Sequence, residues 1–139
     1  MCGLDRALGV YARSASRQKR FARYTALGQY VRDSLRHLGI EPLVPDQWAS
    51  PVNTTVTPPK GLSPRELVSL CREWGYDLYG HSDYLVRRGW VQVATMGAVS
   101  QADLRPFFDR LRAWMRSRPN GSEPPEDDHG GARSNQSPA

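Results

Sequence analysis

The sequence predicts a small α/β (α+β) domain, a two-layer sandwich in which a mostly antiparallel sheet has helices on one face. Helical and strand-like patterns follow one another in the order α, α, β, β, α, β, β, α. The 139 residues are enough for one modest core. We expect this domain over residues 1–116. Residues 117–139 are rich in Pro, Gly, Ser and charge and contain no large apolar residue, so we predict a disordered polar tail there.

The first two elements are predicted helices. Apolar residues at helical spacing indicate a short helix over 4–12. Ser14 and Ser16 are candidate N-caps of a second, longer helix, and Gly39 is suited to end it. The apolar stripe of this second helix advances in steps of three and four: Phe21, Tyr24, Leu27, Val31, Leu35 and Leu38.

Four strands are predicted, two on each side of a third helix. Leu43-Val44 is a short candidate, and residues 52–57 alternate apolar and polar side chains as a strand with one buried face does. Residues 76–79 and 90–96 are the other two strands. Between them, residues 81–88 are expected to form a loop.

The third and last helices carry N-terminal capping signals. Ser63 with Glu66 three residues later predicts a capping box, and Ser100 with Asp103 repeats the arrangement. The last helix is expected to end near 116–118, before a Pro-Asn-Gly sequence.

Charge and hydropathy argue against nucleic-acid binding and against a membrane-spanning protein. The net charge is +5, and nearly all of the basic excess is arginine. The densest basic run, over 13–23, fits a solvated helix face better than a phosphate-binding patch, which makes nucleic-acid binding the last-ranked hypothesis. No apolar run is long enough to cross a membrane, and the N-terminus lacks the apolar core of a signal peptide. The expected location is therefore the cytoplasm, with no membrane partner.

The cysteines and histidines suggest neither a disulfide framework nor a metal site. Cys2 and Cys71 are predicted to be free thiols in a reducing compartment. His37, His81 and His129 show no ligand spacing with them. The adjacent residues His81, Ser82 and Asp83 do not point at one another, so we interpret them as part of a polar loop rather than as a catalytic triad.

Several short sequences, in a fixed order, suggest a family. They are Arg23-Tyr24, Leu38-Gly39-Ile40, Ser50-Pro51-Val52, Gly75-Tyr76-Asp77-Leu78-Tyr79-Gly80 and Met96-Gly97 before a capped helix. In this order and spacing, residues 4–116 resemble the C-terminal small domain of the class V pyridoxal-phosphate aminotransferases, in particular the 2-aminoethylphosphonate–pyruvate and alanine–glyoxylate transaminases.

The resemblance implies a cofactor that this chain is not expected to bind alone. In the family, pyridoxal phosphate is held by a large domain whose lysine forms a Schiff base with it, and the chain begins after that domain would have ended. Neither Lys19 nor Lys60 lies where that lysine would be. The chemistry needs that amine, so we expect no catalytic residue here and no transamination by this chain alone.

The resemblance also implies a substrate-binding position. The family's small domain contributes an arginine that pairs with the substrate carboxylate, and alignment on Met96-Gly97 places that position at Gln92. A neutral amide cannot form a charge-assisted pair with the substrate carboxylate. We expect the loss of this pair to weaken substrate binding by on the order of a few kcal/mol. Arg87 and Arg88 are candidate substitutes. Tyr79 and His81 flank the turn that would lie near the substrate. The predicted substrate-binding residues are therefore Gln92, Arg87, Arg88, Tyr79 and His81.

The sequence leaves three hypotheses about function, of which two belong to other function classes. The first hypothesis is a partial class V aminotransferase, either a truncated reading frame or half of a split enzyme. It would work with a large domain on a separate chain or as a homo-oligomer, and it predicts an exposed apolar face for docking. The alternative is a stand-alone, non-catalytic binding or regulatory module. A basic nucleic-acid-binding protein is the third hypothesis.

Overall fold

A computed structural model describes residues 3–12 and 14–118 of the chain. These residues form a mixed α+β domain, as predicted, with helices α1 (Gly3–Ala12), α2 (Ser14–His37), α3 (Pro64–Glu73), α4 (Asp83–Arg88) and α5 (Gln101–Ser117), and strands β1 (Asn53–Val56) and β2 (Val91–Ala94). A short 3-10 helix covers Asp46–Trp48. The predicted tail from residue 119 onward lies outside the described residues, as do Cys2, Arg13 and His129.

The sheet is antiparallel and small. β1 and β2 pair with Thr55 opposite Gln92. Outside these strands, Pro42 forms a single β-bridge with Val56, and Tyr79 forms one with Gln92. Four chain segments therefore lie side by side, but the two outer ones are bridges rather than strands.

The predicted outer strands are thus corrected to single bridges. At one edge, the prediction of a strand at 43–44 was wrong because Pro42 and Pro45 enclose the segment, and proline has no N–H to donate to a ladder. At the other edge, the N–H of Tyr76 still donates to the carbonyl of Cys71 at 2.9 Å, as part of the end of α3. Only Tyr79 is then left to pair with β2.

The predicted loop over 81–88 is also corrected, because most of it is helix α4. The Ser82 hydroxyl accepts a hydrogen bond from the N–H of Leu85, which caps the helix start, and Leu85 is buried. Gly89 ends the helix in the left-handed region, with φ of 69°. These signals are all local in sequence, and the prediction overlooked them because the segment has only one buried apolar residue.

Helices α2, α3 and α5 bury one face of the sheet. Along the strands, burial alternates, so Thr54 and Val56 of β1 and Val91 and Val93 of β2 are buried. The three valines belong to one hydrophobic core with buried residues of the three helices: Leu27, Val31, Leu35, Leu67, Val68, Cys71, Leu104, Phe107, Phe108 and Leu111. The alternate residues of both strands point to the opposite face.

The N-terminal part of the chain extends beyond this core. None of the residues of α1 is buried. The predicted stripe of α2 is buried only from Leu27 onward, and Phe21, which was predicted to be part of it, is 64% exposed. α2 also begins at Ser14, so Ser16 lies inside the helix instead of capping it. In the part of the chain that the structure describes, no helix combines the length and apolar character needed to cross a bilayer.

Candidate functional site

The candidate site lies on the face of the sheet that points away from the three core helices, which we call the open sheet face. Leu43, Thr55, Gln92 and Tyr79 lie in a row across it. Thr55 is opposite Gln92, Tyr79 bridges Gln92 on the other side, and the N–H of Leu43 donates to the carbonyl of Thr55 at 2.9 Å. Tyr79 is 54% exposed and Leu43 is 41% exposed. The row is therefore open to a ligand or to a second domain.

Gln92 is fixed in the middle of this row. Its backbone N–H donates to the carbonyl of Tyr79 at 2.8 Å, and its carbonyl accepts from the N–H of Tyr79 at 3.1 Å. Its side-chain Nε2 donates to Thr55 Oγ1 at 3.2 Å. Because one amide N–H is used by Thr55, the side chain is oriented, and it can offer a ligand only neutral hydrogen bonds.

A second group, the aromatic–arginine cluster, consists of Tyr84, Arg88 and Trp90. The guanidinium carbon of Arg88 lies 5.3 Å from the ring centre of Tyr84 and 5.1 Å from that of Trp90. The two rings meet edge to face, with their centres 6.0 Å apart. Helix α4 creates the cluster because Tyr84 and Arg88 are four residues apart on it, and therefore on the same side.

The structure separates the two arginines that the sequence could not distinguish. Arg87 turns back along its own helix, where its Nε donates to the carbonyl of Asp83 at 3.2 Å. Arg88 instead lies against Trp90, the residue directly before β2.

His81 belongs to a different group at the edge of the sheet. Its Nε2 is 3.4 Å from Nη2 of Arg72, which also donates to Asp77 Oδ1 at 2.8 Å. The Arg72 guanidinium lowers the pKa of the Asp77 carboxyl. The five predicted residues therefore fall into separate places: Gln92 with Tyr79, Arg88 with Trp90, and Arg87 and His81 each with other partners.

Four residues of the candidate site, Leu43, Thr55, Tyr84 and Trp90, were not predicted from the sequence as site residues. Thr55 was predicted only as the polar side of a strand, and its pairing with Gln92 depends on a register that one strand alone does not reveal. Tyr84 and Trp90 became neighbours of Arg88 through α4. Recognition of the Ser82 cap and of Gly89 as a helix end would have placed Tyr84 and Arg88 on one helix face.

Two clefts are lined mainly by residues outside the row of Leu43, Thr55, Gln92 and Tyr79. One of about 350 Å³ lies between α3 and α5 and is lined by residues that include Leu62, Leu70 and Trp114. Another of about 230 Å³ is lined by Tyr76, Val93, Phe107 and their neighbours. None of the five predicted site residues lines either cleft.

The described residues do not fit pyridoxal phosphate. Lys19 on α2 and Lys60 in the turn before α3 are both exposed, and neither lines the two clefts. Cys71 is buried, which raises the pKa of its thiol to about 12, so it is a core residue rather than a nucleophile. Across residues 3–12 and 14–118, no three metal-ligating side chains come together.

Comparisons with known proteins provide no family assignment. No protein-family model matches the chain. No curated protein matches it either.

Proposed function

We propose that this chain is the small domain of a class V aminotransferase-like enzyme and is completed by a lysine-bearing large domain that these 139 residues do not contain. The observation that carries the proposal is the open sheet face, with Gln92 held in the centre of an antiparallel row. Helices cover one side of the sheet and leave the other side uncovered. Docking against a second domain would cover that side.

In this proposal Gln92 occupies the position nearest the substrate carboxylate. Its amide is oriented by Thr55 and can donate to a carboxylate oxygen, but it adds no charge. Pyridoxal phosphate would be held by the large domain, where it would act as the electron sink for the reaction. Because the described residues offer no amine beside a cleft, we assign no chemical step to this chain. A cytoplasmic location is part of the same proposal.

The test is co-expression of this chain with the product of the reading frame immediately upstream, followed by absorbance spectroscopy of the purified material. We expect the pair to co-purify and to show the visible band of lysine-bound cofactor, whereas this chain alone shows none. A band from this chain alone would contradict the proposal. So would an upstream product without a large domain, combined with a monomeric chain that binds no such domain.

The same pair provides a test at the Gln92 position. Gln92→Arg restores a charge-assisted pair with the substrate carboxylate, so the KM for L-alanine should fall at least about tenfold. Gln92→Leu is the matched control, since it has a similar size but cannot donate, and its KM should rise. Equal KM values for the three proteins would place Gln92 away from the substrate.

A stand-alone binding module remains the alternative, and the completeness of the core favours it. Three helices and the sheet share one buried cluster, so the chain has what it needs to fold without a partner. Nucleic-acid binding through the basic part of α2 is the third hypothesis. Loss of association on charge reversal at Arg17, Lys19 and Arg20 would favour it.

A further inference from the structure

We propose that the N-terminal arm of this chain, residues 3–12 and 14–23, binds an acidic protein surface that has an apolar groove at its centre. The identity of that protein rests on the proposed function, in which the large domain docks against this chain. The chemistry of the arm then specifies what the docking surface of the large domain contains, namely carboxylates around a groove for apolar side chains.

The apolar side chains of the arm do not belong to the core of the domain. α1 contacts α2, but none of its residues is buried. Residues 15–23 of α2 contribute no buried side chain either. Leu4, Leu8 and Tyr11 are each more than half exposed, and their spacing of four and three places them on one side of α1. A partner with an apolar groove would remove this stripe from water.

The arm also contains the whole formal net charge of the chain. Residues 1–23 have six arginines and lysines and one aspartate, whereas the remaining residues have thirteen basic and thirteen acidic side chains. All ion pairs found within residues 3–12 and 14–118 lie outside the arm. In the part of the chain that the structure describes, the basic side chains of the arm therefore have no carboxylate partner. An acidic surface would complement them.

The apolar and basic parts of the arm border one another. The guanidinium carbon of Arg17 lies 5.7 Å from the ring centre of Tyr11, so the apolar stripe of α1 meets the basic part of α2. Phe21 is four residues after Arg17, and therefore on the same side of α2, and it is 64% exposed. Large apolar side chains beside charged ones match the anatomy of a protein interface, in which a polar rim encloses an apolar centre.

The base of the arm is attached to the turn that follows β2. Arg23 Nη2 donates to the carbonyl of Gly97 at 2.6 Å, and the N–H of Gly97 donates to the Tyr24 hydroxyl oxygen at 3.4 Å. β2 ends at Ala94, so the arm leaves the packed domain beside the turn after the strand that contains Gln92. A large domain bound to the arm would therefore also lie near this end of the sheet.

Other partners match the arm less well than an acidic protein. A nucleic acid would complement the charge, but its phosphates offer no apolar site for Leu4, Leu8 and Tyr11. A second copy of this chain would bring an arm of the same charge, and the rest of that copy has no net charge. An anionic bilayer would accept both parts, but three large side chains on a ten-residue helix give a small area for insertion.

The test is binding of labelled synthetic peptides to the full chain, followed by fluorescence anisotropy at low and at physiological ionic strength. The probe is an amphipathic helix with leucine on one side and glutamate on the other. One control peptide has lysine in place of every glutamate, and a second has serine in place of every leucine. A DNA duplex and vesicles of phosphatidylglycerol with phosphatidylcholine represent the other two partner classes.

Two triple variants change the charge by the same amount at different places. The test variant reverses three charges of the arm, Arg17→Glu, Lys19→Glu and Arg20→Glu. The matched control variant reverses three exposed charges of the packed domain, Lys60→Glu, Arg65→Glu and Arg105→Glu. We expect the leucine–glutamate peptide to bind saturably and more weakly as salt is added. Reversal in the arm should weaken this binding at least about tenfold, and reversal in the packed domain less than about threefold.

Four results would overturn the inference. The first is the lack of saturable binding of the leucine–glutamate peptide. The second is equal binding of the serine-substituted peptide, because charge alone would then explain the association. The third is an equal loss of binding in the two triple variants. The fourth is tighter binding of the DNA duplex or of the vesicles than of the peptide, which would assign the arm to that other class of partner.

The co-expressed pair separates this inference from the proposed function. Arm-dependent binding of the acidic peptide, without any association with the upstream product, would support the inferred chemistry of the arm and remove the proposed function. Association with a large domain that reversal of Arg17, Lys19 and Arg20 does not weaken would overturn the inference and leave the proposed function in place.

Discussion

Arg32 on α2 is a buried cation that holds the segment before the sheet. Its side chain is 6% exposed, and its Nε donates to Asp46 Oδ1 at 2.7 Å. Its Nη2 donates to Gln29 Oε1 at 2.8 Å. The cost of removing a charge from water is offset only when the charge is paired and hydrogen-bonded, and both conditions are met here. Arg32 therefore has a structural role and is not available to a substrate.

Asp46 makes part of this network sensitive to pH. The guanidinium of Arg36, 3.0 Å away, and that of Arg32 hold the pKa of the Asp46 carboxyl below its ordinary value of 3.8. A lowered pKa in the folded state means that Asp46 adds stability above about pH 4, which is lost as the pH falls through the folded-state pKa.

We therefore expect Asp46→Asn to lower stability at pH 7 and to flatten its dependence on pH in the acid range. Urea unfolding from pH 7 to pH 2 measures both effects. Asp109→Asn is the control, because within residues 3–12 and 14–118 Asp109 pairs only with its helix neighbour Arg112, at 3.2 Å, on an exposed surface. Parallel curves of stability against pH for Asp46→Asn and the unmodified chain would show that Asp46 contributes nothing to the pH dependence of stability.

Single residues were predictable from the sequence where the neighbours along the chain decide their environment. Gln92 was correctly placed on a strand because apolar residues alternate around it. The burial of Arg32 was not predictable, since arginine on a helix usually indicates a solvated face and Asp46 is fourteen residues away. The same limit applies to Thr55 and Gln92, which only the register brings together.

At the scale of elements, both predicted capping boxes are confirmed. Ser63 Oγ accepts from the N–H of Glu66, and the N–H of Ser63 donates to Glu66 Oε2 at 2.7 Å. Ser100 and Asp103 form the same reciprocal pair at the start of α5. A capping box involves residues three apart, so sequence alone is sufficient to predict it. The prediction of the two outer strands was wrong for the opposite reason. Pairing at a sheet edge depends on partners distant in sequence, and here also on the prolines at one edge and the end of α3 at the other.

Removal of the α3 cap gives a measurable test. Ser63→Ala leaves the N–H of Glu66 without its side-chain acceptor, so the free energy of unfolding should fall by about 1 kcal/mol. Ser69→Ala is the matched control, since Ser69 is an exposed residue inside the same helix. Chemical denaturation of the three proteins makes the comparison. A loss at Ser69 as large as at Ser63 would mean that the cap contributes nothing specific.

The whole molecule combines a packed domain with an N-terminal extension that contributes little to its core. α1 contacts α2 but buries no residue. Leu4, Leu8 and Tyr11 are 63%, 56% and 55% exposed. Exposed apolar side chains on an amphipathic helix are typical of a docking surface, and under the proposed function the large domain would be the partner that covers it.

Deletion of residues 1–12 should therefore separate folding from docking. The midpoint and the free energy of unfolding should change little, by less than about 0.5 kcal/mol, because no buried contact is lost. Association with the co-expressed large domain should weaken, which size-exclusion chromatography with light scattering measures. The double substitution of Leu4 and Leu8 by Ser keeps the segment but removes its apolar surface, and it should weaken association in the same way. A large drop in stability on deletion would instead make α1 part of the cooperative core, and the apolar face of α1 would then need no partner to explain it.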